Sequence, residues 1–171
     1  QVRALLKKKN IVLTIIKNKE KINKNIQGRA REIRYKLLSI FSKKNNAKYI
    51  LTAHHSDDQI ETFLIRLSRG SGIQGLSSMK KITKLNDETS LIRPLLDLKK
   101  KDLKYLAKIF FGKVFKDPSN NNTKYLRTRI RVLRRKFDKI GIHHDQIIRS
   151  IKNLASANET LNGYIDKIFK K

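Results

Sequence analysis

Between Leu51 and Gly72 the sequence reads LTAHHSDDQIETFLIRLSRGSG, gathering His54, His55, Asp57, Asp58 and Glu61 beside a glycine-rich turn. Asp58 and Glu61 stand three residues apart, which on a helix makes them neighbours on one face. Two carboxylates beside imidazole suit an ammonium group, a Mg2+ ion or a metal-bound water. The same residues also suit a plain strand-to-helix turn, with Asp58 complementing the positive end of the helix dipole. The following SRGSGIQG offers N–H groups unobstructed by side chains next to Arg66 and Arg69. It reads either as an anion cradle around Arg69, Gly70 and Gly72 or as a glycine C-cap.

A second concentration lies at Lys124–Arg135, where Arg127, Arg129, Arg131, Arg134 and Arg135 stand against one lysine. Lysine dominates elsewhere, and the planar guanidinium grips phosphate or carboxylate with two bonds where an ammonium cannot. A solvated helix face would also carry such charge. The stretch GRAREIRYK sets Arg31, Arg34 and Tyr35 along one helix, which an ordinary surface helix explains equally well.

These residues need elements to position them. The opening residues read as the end of a helix, and NIVLTIIKN as a β-branched run of the kind buried in a parallel sheet. Ile26, Ala30, Ile33, Leu37, Ile40 and Phe41 predict a helix over 25–44, and AKYILTA predicts a second buried strand delivering His54 and His55 at its carboxyl end. In open α/β sheets that edge binds ligands. Ser56 is the expected N-cap of a helix whose stripe is Ile60, Phe63, Leu64 and Leu67. RGSGIQGLSSM reads as a flexible turn, and LIRPLLDL as an extended piece leading into a helix over 100–110. KVFKDPSNNNT reads as a brief strand and loop, followed by helices over 125–137 and beyond Gly141.

The alternation predicts an α/β fold with a parallel sheet. With only two convincing strands, the sheet is expected to lack members, and Gln1 to lie inside a helix rather than at a natural start. The 41 Lys and Arg against 14 Asp and Glu give a net charge of +27, which favours a polyanionic partner such as nucleic acid. Coding biased toward A and T would also enrich Lys, Asn and Ile. There is no cysteine, which excludes disulfides and thiolate metal sites and agrees with a cytoplasmic protein. No apolar run is long enough to span a membrane, and Lys7–Lys9 interrupt any apolar leader.

GRAREIRYKLL, AHHSDDQIETFLIRLSRGSGIQGL, LIRPLLDLKKKDL and DPSNNNTKYLRTRIR occur in this order. In them the chain resembles the tRNA(Ile)-lysidine synthetases, of the N-type ATP pyrophosphatase group, over nearly its whole length. The resemblance implies a partial Rossmann-like (adenine nucleotide alpha hydrolase-like) sheet with flanking helices. It implies the C-terminal part of the catalytic domain over 1–136 and a helical extension over 137–171. The implied reaction uses ATP and Mg2+ to adenylate C2 of the wobble cytidine of tRNA(Ile), and free L-lysine then displaces AMP to give lysidine. A homodimer is implied for the intact enzyme. His54, Asp58 and Glu61 match the HHxxDDxxET stretch, Arg34 the ARxxRY helix, and Arg131 the end of the arginine-rich segment holding Arg127 and Arg129. Asp58 and Glu61 are then expected to face lysine, His54 to sit beside ATP and the target base, and Arg34 and Arg131 to meet phosphate or tRNA. The group's Ser-Gly-Gly-x-Asp-Ser loop is absent, so the expectation is a fragment. The alternative is an inactive fragment serving at most as a basic RNA-binding module.

Overall fold

A computed structural model describes residues 2–18, 20–22, 26–115 and 123–169. The chain divides into two compact units, residues 1–52 with 82–92, and residues 53–81 with 93–171.

The first unit holds helices α1 (Val2–Lys8) and α2 (Ile26–Lys44) and strands β1 (Tyr49–Leu51), β2 (Ile82–Lys84) and β3 (Ser90–Ile92). The sheet order is β1-β3-β2. β1 runs parallel to β3 with Ile50 beside Leu91, and β2 pairs antiparallel with β3, setting Ile82 beside Ile92. Ile33, Ile50 and Leu91 are buried, and the Ser42 and Thr89 hydroxyls meet at 3.4 Å. Asn86 makes the β2–β3 turn by accepting the N–H groups of Glu88 and Thr89 on its side chain, at 3.0 and 2.7 Å. AKYILTA thus forms a parallel strand over Tyr49–Leu51, but not the buried one expected: only Ile50 is buried, while Tyr49 and Leu51 are exposed. The sheet is mixed because a tight hairpin joins β2 antiparallel to β3.

The expected strand at NIVLTIIKN does not form. Asn10 turns the chain out of α1 with φ 52°, and residues 11–18 carry no regular structure; Val12 is 92% exposed. A strand gains its bonds only from a neighbour, and none among the described residues pairs with this run. Lys113–Phe115 likewise form no strand. The loop expected over 116–122 lies outside the described residues.

The second unit is helical: α3 (Ser56–Leu67), α4 (Ile73–Leu76), α5 (Lys100–Phe111), α6 (Leu126–Lys139) and α7 (His144–Phe169). Ile60, Leu64, Ile130, Ile147 and Ile151 make its core, flanked by Phe63, Ile65, Leu126, Phe137 and Ile148. Ile60–Leu64 and Ile147–Ile151 are i,i+4 pairs, so α3 and α7 each present one apolar stripe to α6 or to each other. Each such side chain contributes about 1.5–3 kcal/mol by leaving water. The extension expected over 137–171 therefore contributes Ile147 and Ile151 of α7 to this core. RGSGIQGLSSM is not wholly a turn, since Ile73–Leu76 coil into α4. Gln59 fastens the next segment to α3: its amide donates to the Met79 carbonyl and accepts the Met79 N–H, both at 2.8 Å. α5 ends at Gly112, whose φ of 73° suits a residue without Cβ.

Candidate functional site

The carboxylates sit on the first two turns of α3, which begins one residue earlier than Ser56 suggested. His55 is the N-cap, extended at φ −130° and ψ 178°, and its N–H donates to Asp58 Oδ2 at 3.0 Å. The same oxygen lies 3.4 Å from His55 Nδ1. Ser56 instead turns inward at 1% exposure; its Oγ donates to the Leu98 carbonyl at 2.9 Å and lies 3.1 Å from His144 Nε2. With Asp145 3.5 Å from His144 Nδ1, this resembles a serine–histidine–aspartate relay. Burial and the bond to Leu98 remove Ser56 from any nucleophilic role.

Asp57 joins four helices. Its Oδ2 accepts the Lys100 N–H at 2.8 Å, so the carboxylate caps α5. Its Oδ1 takes Arg134 Nη1 of α6, and His144 of α7 lies 4.0 Å away. Burial pushes its acidity toward weaker values, but the Lys100 amide and the Arg134 guanidinium outweigh it and hold the carboxyl below its ordinary range. Burial, reinforced by Arg134, pulls His144 below the ordinary histidine range against Asp57 and Asp145. Asp145 is tied to Lys99 at 2.7 Å.

Glu61, one turn along, is 2% exposed and receives Arg131 with two bonds, Nε to Oε1 at 2.5 Å and Nη2 to Oε2 at 3.1 Å. That bond raises the Arg131 pKa against the opposing effect of burial, with Asp58 and Asp57 adding to the rise. Glu61–Arg131 and Asp57–Arg134 form two rungs, i,i+4 on α3 and i,i+3 on α6. Because 131 meets 61 and 134 meets 57, the helices pass in opposite directions.

The structure thus brings Asp58, Glu61 and Arg131 together and makes Glu61 and Arg131 partners of each other. Each Glu61 oxygen accepts one N–H of Arg131, so in this structure the carboxylate that was expected to face lysine has a guanidinium as its partner. Arg131 turns inward to a carboxylate, where phosphate or tRNA was expected. His54 is half-buried in the extended segment before α3, Arg127 half-buried on α6, and Arg129 exposed there. Arg34 is exposed on α2 in the other unit. The glycine turn forms no open cradle at its start: the N–H groups of Arg69, Gly70 and Ser71 bond the Arg66, Leu67 and Arg66 carbonyls at 3.1, 3.0 and 3.1 Å. Gly70 has φ 69°, and Gly72 caps α4. Arg66 buttresses the turn through the Gly75 and Ser78 carbonyls at 2.7 and 3.0 Å.

Asp57 stood in the acidic cluster and Arg134 in the arginine run without an assigned role, and His144 was not placed in this centre. The spacing of Arg134 from Arg131 and of Asp57 from Glu61 carried a signal, whereas His144 lies 88 residues from Ser56 and carried none. Among the described residues no group of three or more His, Cys, Asp or Glu is arranged to hold a metal ion. A cavity of about 340 Å³ lined by Arg3, Lys7, Ile11, Leu13 and Ile15 contains no acid and takes no part in this centre. No helix among the described residues is long and apolar enough to cross a membrane.

Residues 1–136 match the family model for the PP-loop domain ATP_bind_3, and the chain belongs to that family. Within it, the chain is similar to the tRNA(Ile)-lysidine synthase of Wolbachia pipientis wMel, 43% identical over 146 residues, covering 85% of this chain and 34% of that protein. It is similar also to that of Bradyrhizobium diazoefficiens, 41% identical over 140 residues, covering 80% of this chain and 38% of that protein. The chain thus spans about a third of the length of these relatives. Its fold is similar to the U34-tRNA thiolase NcsA from Methanococcus maripaludis, with TM-score 0.69 and 17% identity over 91% of this chain and 55% of that one.

Proposed function

We propose that this chain is part of an ATP-dependent ligase that joins L-lysine to C2 of the wobble cytidine of tRNA(Ile), making lysidine. In this reading the C2 oxygen attacks the α-phosphate of ATP and pyrophosphate leaves. The amine of lysine then attacks C2, AMP departs, and the amine loses its proton. The observation that carries the reading is the acid-lined first half of α3 in a chain of net charge +27 with PP-loop membership. A basic protein suits tRNA, and a local group of acids suits a cationic amino acid.

Asp58 is the carboxylate we assign to the lysine ammonium, because its bond to the His55 amide occupies one oxygen. Glu61 supports it by fixing Arg131, and His54 stands beside ATP and the base. Arg34, Arg127 and Arg129 meet phosphate or tRNA, with exposed Arg69 beside Gly70 and Gly72 as a further cationic contact. Mg2+ would arrive on the ATP phosphates, since the described side chains offer it no three-ligand group. Residues 1–136 would be the catalytic part and 137–171 the extension.

The second reading, a basic RNA-binding module without lysine chemistry, is favoured by the closure of Glu61 on Arg131. Equilibrium dialysis with radiolabelled lysine, ATP and tRNA separates the two. The ligase reading expects retained lysine, weakened at least about tenfold by Asp58→Asn. No retention at millimolar lysine, with tRNA still bound, would leave the module.

A further inference from the structure

Helix α6 has two faces that hold their cations differently. On the inner face, Leu126, Ile130 and Phe137 enter the core, and Arg131 and Arg134 are neutralised by Glu61 and Asp57. On the outer face stand Arg129, Val132, Arg135, Lys136 and Lys139, at the 3, 6, 7 and 10 spacing of one helical stripe, all exposed. The four cations of this stripe have no acidic partner among the described residues. Elsewhere in the second unit Lys99 is matched to Asp145 and both Lys81 and Lys152 to Asp97. Lys101, Lys104 and Lys108 of α5 are exposed with no ion pair among the described residues but, unlike the α6 stripe, include no arginine.

We infer that the outer face of α6, specifically Arg135, Lys136 and Lys139 together with Arg129, is a contact surface for the phosphate backbone of RNA. The inference rests on the tRNA reading above and adds to it three residues and a helix face. The stripe runs ten residues, about 15 Å at the helical rise, long enough to follow several phosphates of one strand. Its charge is held on a rigid element, because the two inner ion pairs fix the rotation of α6 against α3. The stripe carries four cations to one apolar residue, Val132, and the exposed Leu133 and Ile140 lie only at its edge. Its outward face is therefore cationic rather than the apolar face of a helix lying in a lipid surface. Arginine at two of the four positions suits phosphate oxygens, which its fork meets with paired bonds.

The test compares two triple substitutions that remove equal charge from the whole chain. One is Arg135→Gln, Lys136→Gln and Lys139→Gln on α6. The other is Lys101→Gln, Lys104→Gln and Lys108→Gln, three exposed lysines of α5. The affinity of each for tRNA is measured by filter binding across a salt series, with thermal unfolding confirming that both fold. Each phosphate that the protein no longer neutralises lowers the slope of log affinity against log salt by about 0.7–0.9, so the α6 triple should lower it by about two to three and the α5 triple by less than about one. Equal reductions from both triples would mean diffuse attraction and would overturn the inference while leaving tRNA binding intact. A parent chain that shows no salt-dependent tRNA binding would overturn both.

Discussion

The first half of α3 and the run Ile11–Asn18 are held by different means. Each turn of α3 bonds to its own preceding turn, and its side chains then find partners on α5, α6 and α7. Ile11 bonds back to Leu6 at 2.9 Å, and beyond it the run has no strand partner among the described residues. The first region is closed by charge and burial together. The second exposes β-branched side chains that elsewhere would form a core. A helix carries its backbone bonds with it; a strand borrows them.

That contrast is open to direct attack. The largest effect is expected at Arg131. Arg131→Met leaves Glu61 buried without its counter-charge and should cost about 3–5 kcal/mol of unfolding free energy in urea titration. Adding Glu61→Leu should restore most of it, because an apolar pair has no charge to desolvate. A change under about 1 kcal/mol from the single substitution would show that Glu61 reaches water. Next comes a matched pair: Ile60→Ala, at 0% exposure, should cost about 2–5 kcal/mol, and Val12→Ala under about 0.5. Similar values at both sites would erase the distinction.

The smallest effect is in pH. His144 has its pKa lowered from 6.5, by burial first and Arg134 second. The unfolded chain therefore takes up a proton near that value while the folded chain does not. Stability present above it should decline as pH falls below it, by at most about 1.4 kcal/mol per pH unit from one group. Asp57, held low, loses its contribution only further down, below its ordinary 3.8. Thermal unfolding from pH 7.5 to 5 should show the decline, and His144→Gln should flatten it. An unchanged slope would mean that His144 does not set the pH dependence.

Local periodicity made α2, α3, α5, α6 and α7 readable, since Ile60, Leu64, Ile130 and Ile151 announce their faces within a few residues. AKYILTA was readable as a strand for the same reason. The run 11–18 carried as strong a pattern, yet strand formation depends on a neighbour that a local pattern does not specify. β2, Ile82–Lys84, has one apolar residue and no buried one, so no apolar run marks it in the sequence. In the candidate site, Asp58, Glu61 and Arg131 stood out by type, but their pairing did not, because Arg131 fits a carboxylate and a phosphate equally well. Serine is common as a helix cap, which favoured Ser56 in that place; the Leu98 carbonyl and His144 instead draw its hydroxyl inward.

The convergence of helices on Asp57 and Glu61 also has a consequence in time. Lys100, Arg134 and Arg131 reach these carboxylates across 43, 77 and 70 residues of chain. Closing such loops is a late event beside coiling a twelve-residue helix. α3 can form early with its acids in water, and the arginines lock on only when the helices they belong to have docked. The ion pairs therefore act as a latch on the finished unit rather than as a guide to it. Arg131→Met should accordingly speed unfolding in stopped-flow experiments and leave the refolding rate nearly unchanged.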